Sequence, residues 1–280
     1  MPIIEIKNVT LQTMRIYKVI PVILLIVSVF SGCNSYEKLL KSNDFDKKYA
    51  AAMKYYNDAN YSKAVQLFEN LTMYYRGRDN AENVAWYYAE SLLKFKDYYS
   101  AGFQYANFVR QFPYSERAED ALFMSAYCKY MESPEYSLDQ KQTHEAIQAF
   151  EQYVERYPTS GHIPEINKYL DEMRAKLMKK DYEIAYGYYK IGSYNAAYVA
   201  FADFMNQYPD SGNKEDAMYY MILSGYEYAI NSTEAKIVER LNLVINDFEK
   251  FAASFSNSKY TKHTQDIYNK CREALYARAK

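Results

Sequence analysis

Glycine and proline are scarce in this chain, at eight and seven of 280 residues. That disfavours turn-rich all-β folds and long flexible linkers. Histidine is scarcer still: His144, His162 and His263 stand alone, none at ligand spacing from another histidine or cysteine, so no metal-site pattern exists. The three cysteines, Cys33, Cys128 and Cys271, make no disulfide framework. The latter two lie far apart inside helical patterns and read as buried free thiols. Neither sign of charge dominates, with 34 basic against 35 acidic side chains. No sequence-wide basic field therefore exists to draw nucleic acid or anionic lipid. Low-complexity tracts and Gly-rich phosphate loops are missing too. The neighbouring carboxylates Glu119 and Asp120, like Asp171 and Glu172, point to different helix faces and read as solvated. Nowhere does a nucleophile stand in a pattern with a base, so the expectation is no enzyme, no catalytic residue and no bound cofactor.

What the chain does have begins at its N-terminus. Val19 to Phe30 is an almost unbroken apolar run, preceded by Arg15 and Lys18. As a helix it rises only about 18 Å, too short to span a bilayer core. A basic region, a short apolar region and then small residues spell a secretory signal. Phe30-Ser31-Gly32-Cys33 resembles the bacterial lipobox, with Phe30 where leucine is commoner. The resemblance implies that Cys33 receives a diacylglycerol thioether and an N-acyl chain and becomes the mature N-terminus. Residues 1–32 are thus expected to be a signal peptide, with Met14 beginning a signal of ordinary shape, and the polar residues 33–42 a lipidated tether. Removing 1–32 takes away Glu5, Lys7, Arg15 and Lys18 and leaves 31 basic against 34 acidic groups. Such a chain is held at a membrane by lipid rather than by charge.

Beyond the tether one phrase recurs. Phe108-Val-Arg-Gln-Phe-Pro113-Tyr-Ser115 returns as Tyr153-Val-Glu-Arg-Tyr-Pro158-Thr-Ser160 and as Phe204-Met-Asn-Gln-Tyr-Pro209-Asp-Ser211. Weaker copies run from Leu71 to Arg78 and from Phe251 to Ser258. An aromatic, a second aromatic four positions on, and a proline that cannot continue the hydrogen-bond ladder mark the end of a helix built repeatedly. Between copies the chain reads as paired helices. Ala81, Ala85, Tyr88, Ala89 and Leu92 fall at spacings of three and four in a first helix, Asp97 to Ser100 make the turn, and Ala101 to Phe112 form a second. Ser115 is placed to cap the helix that follows. Repetition on a period of tens of residues predicts a solenoid.

The pattern resembles the tetratricopeptide repeat, which places small residues where helices cross, an aromatic within each helix and proline at the end. Ala89, Ala101, Tyr105 and Pro113 match in one repeat, Ala64 and Phe68 in the repeat before, with Arg76 where proline is expected. Ala146, Phe150 and Pro158 match in the next, then Ala185, Ala197, Phe201 and Pro209, while Val244, Phe248 and Ser256 form a degenerate last copy. The expected fold is all-α, a right-handed α-solenoid of about five such helix pairs with a C-terminal capping helix over 259–279. Tyr260, Ile267, Tyr268, Cys271 and Leu275 would face inward on that helix. Marker alanines 37, 45 and 51 residues apart imply insertions into a period of about 34. Residues 132–142 read as a long loop, and Ile163 to Ile191 as a lengthened first helix with Pro164 in its first turn. The resemblance also implies that the first helix of each pair lines a concave face. By register, Trp86, Phe123 and Tyr219 take equivalent places on it, and Tyr49, Tyr56, Glu90 and Tyr127 point the same way. Clustered aromatics without a charge stripe suit an extended apolar or aromatic peptide.

One segment is more specific. Met173-Arg-Ala-Lys-Leu-Met-Lys-Lys-Asp-Tyr-Glu-Ile-Ala-Tyr-Gly-Tyr-Tyr-Lys-Ile-Gly-Ser-Tyr, running on to Tyr208-Pro209-Asp210-Ser211, is similar to the long fourth-repeat helix of the BamD family. Those proteins are tetratricopeptide lipoproteins of the outer-membrane β-barrel assembly machinery, and the likeness extends from roughly Asn43 to Ala279. It implies N-terminal repeats over 43–131 that receive unfolded outer-membrane β-barrel proteins. It further implies a third-repeat loop and helix over 132–162, and C-terminal repeats over 163–280 that dock on periplasmic domains of the barrel-forming subunit. No acidic run follows Cys33, so the expected place is the inner leaflet of the outer membrane, facing the periplasm. Two other readings stay open. One is an envelope scaffold for cell division or peptidoglycan coordination, against which stands the lack of sustained heptads. The other is a glycan-capture lipoprotein of the starch-utilisation type, a class that is longer and carries an inserted ligand domain.

Overall fold

A computed structural model describes residues 35–279; Cys33 and the signal segment lie outside the described residues. Among the described residues there are twelve helices and no strand. They are α1 (35–41), α2 (Phe45–Asn57), α3 (Tyr61–Tyr75), α4 (Ala81–Lys94), α5 (Tyr98–Gln111), α6 (Ala118–Met131), α7 (Lys141–Arg156), α8 (Ile163–Lys190), α9 (Tyr194–Gln207), α10 (Lys214–Ile230), α11 (Glu234–Ser254) and α12 (Thr261–Arg278). Two compact units arise. One holds the residues up to Glu132 together with Gln148–Ser160, the other Ser133–Ile147 and the residues from Gly161 on.

Each hairpin packs where the repeat pattern says. Ala64, Ala89, Ala101, Ala146, Ala185 and Ala197 are all fully buried, because a side chain no larger than a methyl lets two helix backbones approach closely at a crossing. The phrase builds one turn repeatedly, and at the Tyr153 copy the Tyr157 N–H donates to the Tyr153 carbonyl at 2.8 Å. Phe112, Tyr208 and Phe255 end α5, α9 and α11 with φ near −130° and ψ near 60° (−127/59, −125/64 and −133/58). Their N–H groups donate to the carbonyls of Phe108, Phe204 and Phe251 at 2.8–2.9 Å. Proline forces Phe112 and Tyr208 out of the α region, yet Phe255 precedes a serine and turns the same way. Packing of the aromatic pair therefore suffices without the ring. The first copy departs: Arg76 has φ −57° and ψ 116°, and the chain turns through Gly77 at φ 72° and Asn80 at φ 68°.

A second regularity was not visible in the sequence. The open end of each hairpin is closed by a hydroxyl on an acid of its first helix. Tyr75 Oη donates to Asp46 at 3.2 Å, Ser115 Oγ to Glu82 at 2.7 Å, Tyr208 Oη to Asp181 at 2.7 Å and Tyr260 Oη to Asp216 at 2.6 Å. Glu119 accepts from both Tyr153 Oη (3.1 Å) and Ser160 Oγ (2.6 Å). Two expectations are thereby corrected. Glu119 is not merely solvated. Ser115 is not the cap of α6, whose N-cap is Arg117; its hydroxyl accepts the Arg117 N–H and donates to Glu82.

The polar tether also takes structure. Tyr36 of α1 is 7% exposed, its hydroxyl donating to Lys63 O and Gln66 Oε1, both at 3.1 Å, and its ring edge-on to Tyr55. α1 is thus docked on the first hairpin. Residues 132–140 connect α6 to α7, and α8 runs 28 residues with Pro164 in its first turn. Within the second unit, Lys176 and Lys180 donate to carbonyls of Ser133 and Leu138, and Lys179 lies over the ring of Tyr136. That loop is ordered by three lysines of α8. The final helix buries Thr264, Ile267 and Cys271 against α10 and α11, with Tyr260, Tyr268 and Leu275 half-buried beside them.

Candidate functional site

The aromatic surface of the first unit is built by alternate helices. α2 contributes Tyr49 and Tyr56, one face apart by two turns, and α4 contributes Trp86, Tyr87 and Glu90. Tyr56 lies edge-on to Tyr61 and Tyr87, with centroids 5.9 and 5.1 Å away. Trp86 lies edge-on to Tyr105 and Phe108, both at 5.6 Å, and its Nε1 donates to Glu90 Oε2 at 3.1 Å. Burial raises the pKa of Tyr56, and the nearby Glu90 carboxylate adds to the shift. The Glu90 carboxylate therefore takes the indole N–H of its own helix, with the Tyr56 phenol of the other helix nearby. That bond partly satisfies a half-buried charge and orients the Trp86 ring.

Two residues of this surface carried no signal in the sequence. Arg117, just before α6, places its guanidinium 5.4 Å from the Trp86 ring and donates to Asn83 Oδ1 at 3.0 Å. Tyr87 joins α2 to α4 through Tyr56. Tyr49, which contacts Tyr75 at 6.0 Å, has its pKa raised by burial and by Tyr87, with Arg117 pulling the other way. Tyr49, Tyr56, Trp86 and Glu90 are all half-buried, each with part of its surface open.

Phe123 is a correction. It is 6% exposed and packs on Phe150 and Tyr153 of α7 at 6.3 and 6.0 Å. It meets two rings of its partner helix as Trp86 does, one edge-on and one tilted, but its own ring is enclosed and offers no open face. Tyr127 is half-buried and stacks on Phe123 at 6.4 Å, with Tyr130 6.1 Å away. Tyr219 departs from the register as well. It stacks on Tyr260 at 3.8 Å, and its hydroxyl meets His263 Nδ1 at 2.8 Å. The packing counterpart of Trp86 in the second unit is Tyr182, edge-on to Phe201 and Phe204 at 5.9 and 5.6 Å.

Hairpins crossing at buried alanines, ended by one repeated aromatic turn and carrying half-open rings on their first helices, define a tetratricopeptide-type scaffold. The family model described as YfiO, outer membrane lipoprotein, matches residues 41–197 and 179–279, and the chain belongs to that family. It is similar to a curated relative, the outer membrane protein assembly factor BamD of Caulobacter vibrioides, at 23% identity over 129 residues. That stretch is 46% of this chain and 42% of the relative, so the chain spans less than half the length of the relative it matches. Among solved structures, the TPR2AB domain of yeast Sti1 in its pHSP90 complex aligns with a TM-score of 0.37 and 11% identity, over 81% of this chain and 98% of that one. A likeness so shallow carries no argument about fold or function.

Proposed function

We propose that this chain is a lipid-anchored scaffold of the machinery that assembles β-barrel proteins in the outer membrane. It would be anchored through Cys33 to the inner leaflet and face the periplasm. The observation that carries the reading is the family match across almost all of residues 41–279, and the name of the Caulobacter relative points the same way. In this reading the second unit docks on periplasmic domains of the barrel-forming subunit. The first unit receives unfolded barrel segments on Tyr49, Tyr56 and Trp86. Rings held by their neighbours present apolar area at little loss of rotamer freedom, the property that makes aromatic side chains dominate binding surfaces. Glu90 orients the Trp86 ring and leaves its remaining lone pairs for a backbone N–H of the bound strand.

Affinity purification of the tagged chain from its own envelope, followed by mass spectrometry, tests the scaffold role. Recovery of the barrel-forming subunit supports it, whereas peptidoglycan-binding or Tol-Pal partners in its place would overturn it. The substrate surface is tested separately with Trp86→Ala combined with Tyr49→Ala. The pair should weaken binding of an aromatic-ended barrel peptide by tenfold or more, about 1.4 kcal/mol, with helicity unchanged; equal affinity would remove the surface from the account.

A further inference from the structure

At the other end of the first unit, where α1 meets α2 and α3, lies a pocket of ≈ 580 Å³ whose walls include Lys41, Phe45, Lys48, Asn70, Met73 and Tyr74. Lys48 is the unusual member. It is 3% exposed, yet it has no carboxylate within ion-pair range: its Nζ donates to Asn70 Oδ1 at 3.4 Å and lies 5.3 Å from the centre of the Phe45 ring. An ammonium carries three donors, and one long bond to a neutral amide leaves most of that capacity unused. A buried charge without a counter-charge is costly. The nearby acids have partners other than Lys48. Asp44 pairs with Lys47, Asp46 accepts from Tyr75, and Glu37 lies 3.9 Å from Lys41. A further cation, Arg78, sits over the Tyr74 ring at 4.5 Å. Beside the lysines, Leu40, Phe45, Met73 and Tyr74 form the apolar part of the wall, and Ser42, Asn43 and Asn70 the polar part. Phe45 and Tyr74 stack at 3.7 Å, and Met73 is 79% exposed.

We propose that this pocket binds the phosphate of an anionic phospholipid headgroup. Lys48 and Lys41 receive the phosphate, and Phe45, Tyr74 and Met73 cover the glycerol and the first acyl carbons. A cationic site edged on one side by partly exposed apolar side chains fits an amphiphilic anion better than a free one, because a free anion leaves Met73 and the Phe45–Tyr74 pair uncovered. The membrane as source rests on the lipidation of Cys33 proposed above. Only nine residues run from Cys33 to the end of α1, seven of them in that helix, a reach of about 20 Å at most, which holds the pocket near the headgroup layer.

Native mass spectrometry of the full chain in a non-ionic detergent tests this, with phosphatidylglycerol, phosphatidylcholine or inorganic phosphate added separately at equal concentration. Retention of one phosphatidylglycerol, against little phosphatidylcholine or phosphate, is expected. Lys48→Met should reduce that occupancy by about tenfold or more, the loss of a charge-assisted hydrogen bond. Met73→Asp, at an exposed position where folding is not at stake, should do the same by repelling the anion. Equal retention of the two lipids, binding of phosphate alone, or occupancy unchanged in Met73→Asp overturns the proposal. The assay contains neither barrel substrate nor partner subunit, so its failure and that of the scaffold reading are separate results.

Discussion

Removing the Glu119 side chain should loosen the first unit by an amount that its hydrogen bonds set. Glu119 accepts from Tyr153 Oη and Ser160 Oγ, and Tyr153 is fully buried. Hydrogen bonds to a charged group are each worth roughly 1.5–3 kcal/mol. In Glu119→Ala the two hydroxyls, 2.7 Å apart in the native protein, are free to donate one to the other, which recovers part of the loss. The expected net destabilisation is about 2 kcal/mol. The assay is built in: Trp86 is the chain's single tryptophan and belongs to the same unit, so its fluorescence follows that unit in urea. With a slope of about 2 kcal/mol per molar, the midpoint should fall by about 1 M. Glu116→Ala, at an exposed position in the same turn, is the control and should move it little. A double-mutant cycle with Tyr153→Phe should show coupling of about 1 kcal/mol. If Glu119→Ala shifts the midpoint no more than the control, or if the two changes simply add, the clasp is not a source of stability.

Other substitutions and conditions discriminate as clearly. Gly225→Ala puts a Cβ 3.0 Å from the Tyr198 ring and from Val244 Cγ2, and Tyr198 is held by its bond to Asp247 at 2.7 Å, so a loss of about 1–3 kcal/mol is expected. Gly187→Ala in α8 meets nothing within 4 Å and should instead gain about 0.5–1 kcal/mol; urea curves followed by circular dichroism of the second unit's helices compare the two, and equal signs would contradict the packing account. Cys128 and Cys271 are fully buried, with thiols pushed by burial up to about 12 and about 11; alkylation at pH 8 mapped by mass spectrometry should leave both unmodified until urea is added. Burial likewise pushes Tyr36, Tyr88, Tyr153 and Tyr182 up to about 12. Their folded-state values exceed the unfolded value near 10, so their contribution to stability is complete below pH 10 and disappears as pH rises toward 12. An ultraviolet titration of the native protein in which all tyrosines ionise together near pH 10 would refute that.

How far the sequence was legible follows from the range of each interaction. The marker alanines Ala64, Ala101, Ala146 and Ala197 could be read in advance because a helix crossing demands small residues at fixed positions, whatever surrounds them. The length of α8 was legible for a similar local reason: Pro164 starts it and nothing breaks the pattern before Gly192. Which rings stay open was not. Trp86 and Phe123 carry the same signal and each meets two rings of the partner helix, and only the packing around them encloses one and leaves the other part open. Ser115 looked like a cap because serine often is one. Its true partner, Glu82, lies 33 residues back, beyond any local pattern. Tyr36 and Lys48 escaped notice in polar surroundings, since their burial depends on α3 folding back across them.

The carboxylate–hydroxyl clasps also bear on how the chain finds its fold. Tyr75–Asp46, Ser115–Glu82, Tyr153–Glu119 and Tyr208–Asp181 join residues 29, 33, 34 and 27 positions apart, and Tyr260–Asp216 joins residues 44 apart. Every such closure is a short loop in a 280-residue chain. Because the entropy of closing a loop grows only slowly with its length, no hairpin needs distant chain before it can latch. Local closures of this kind favour fast folding and make each hairpin a natural unit of opening and reclosing. α8 is the informative exception. Its clasp at Asp181 sits well inside the helix, so 163–180 extend past the point where its hairpin closes, and hydrogen exchange should find that stretch opening on its own schedule.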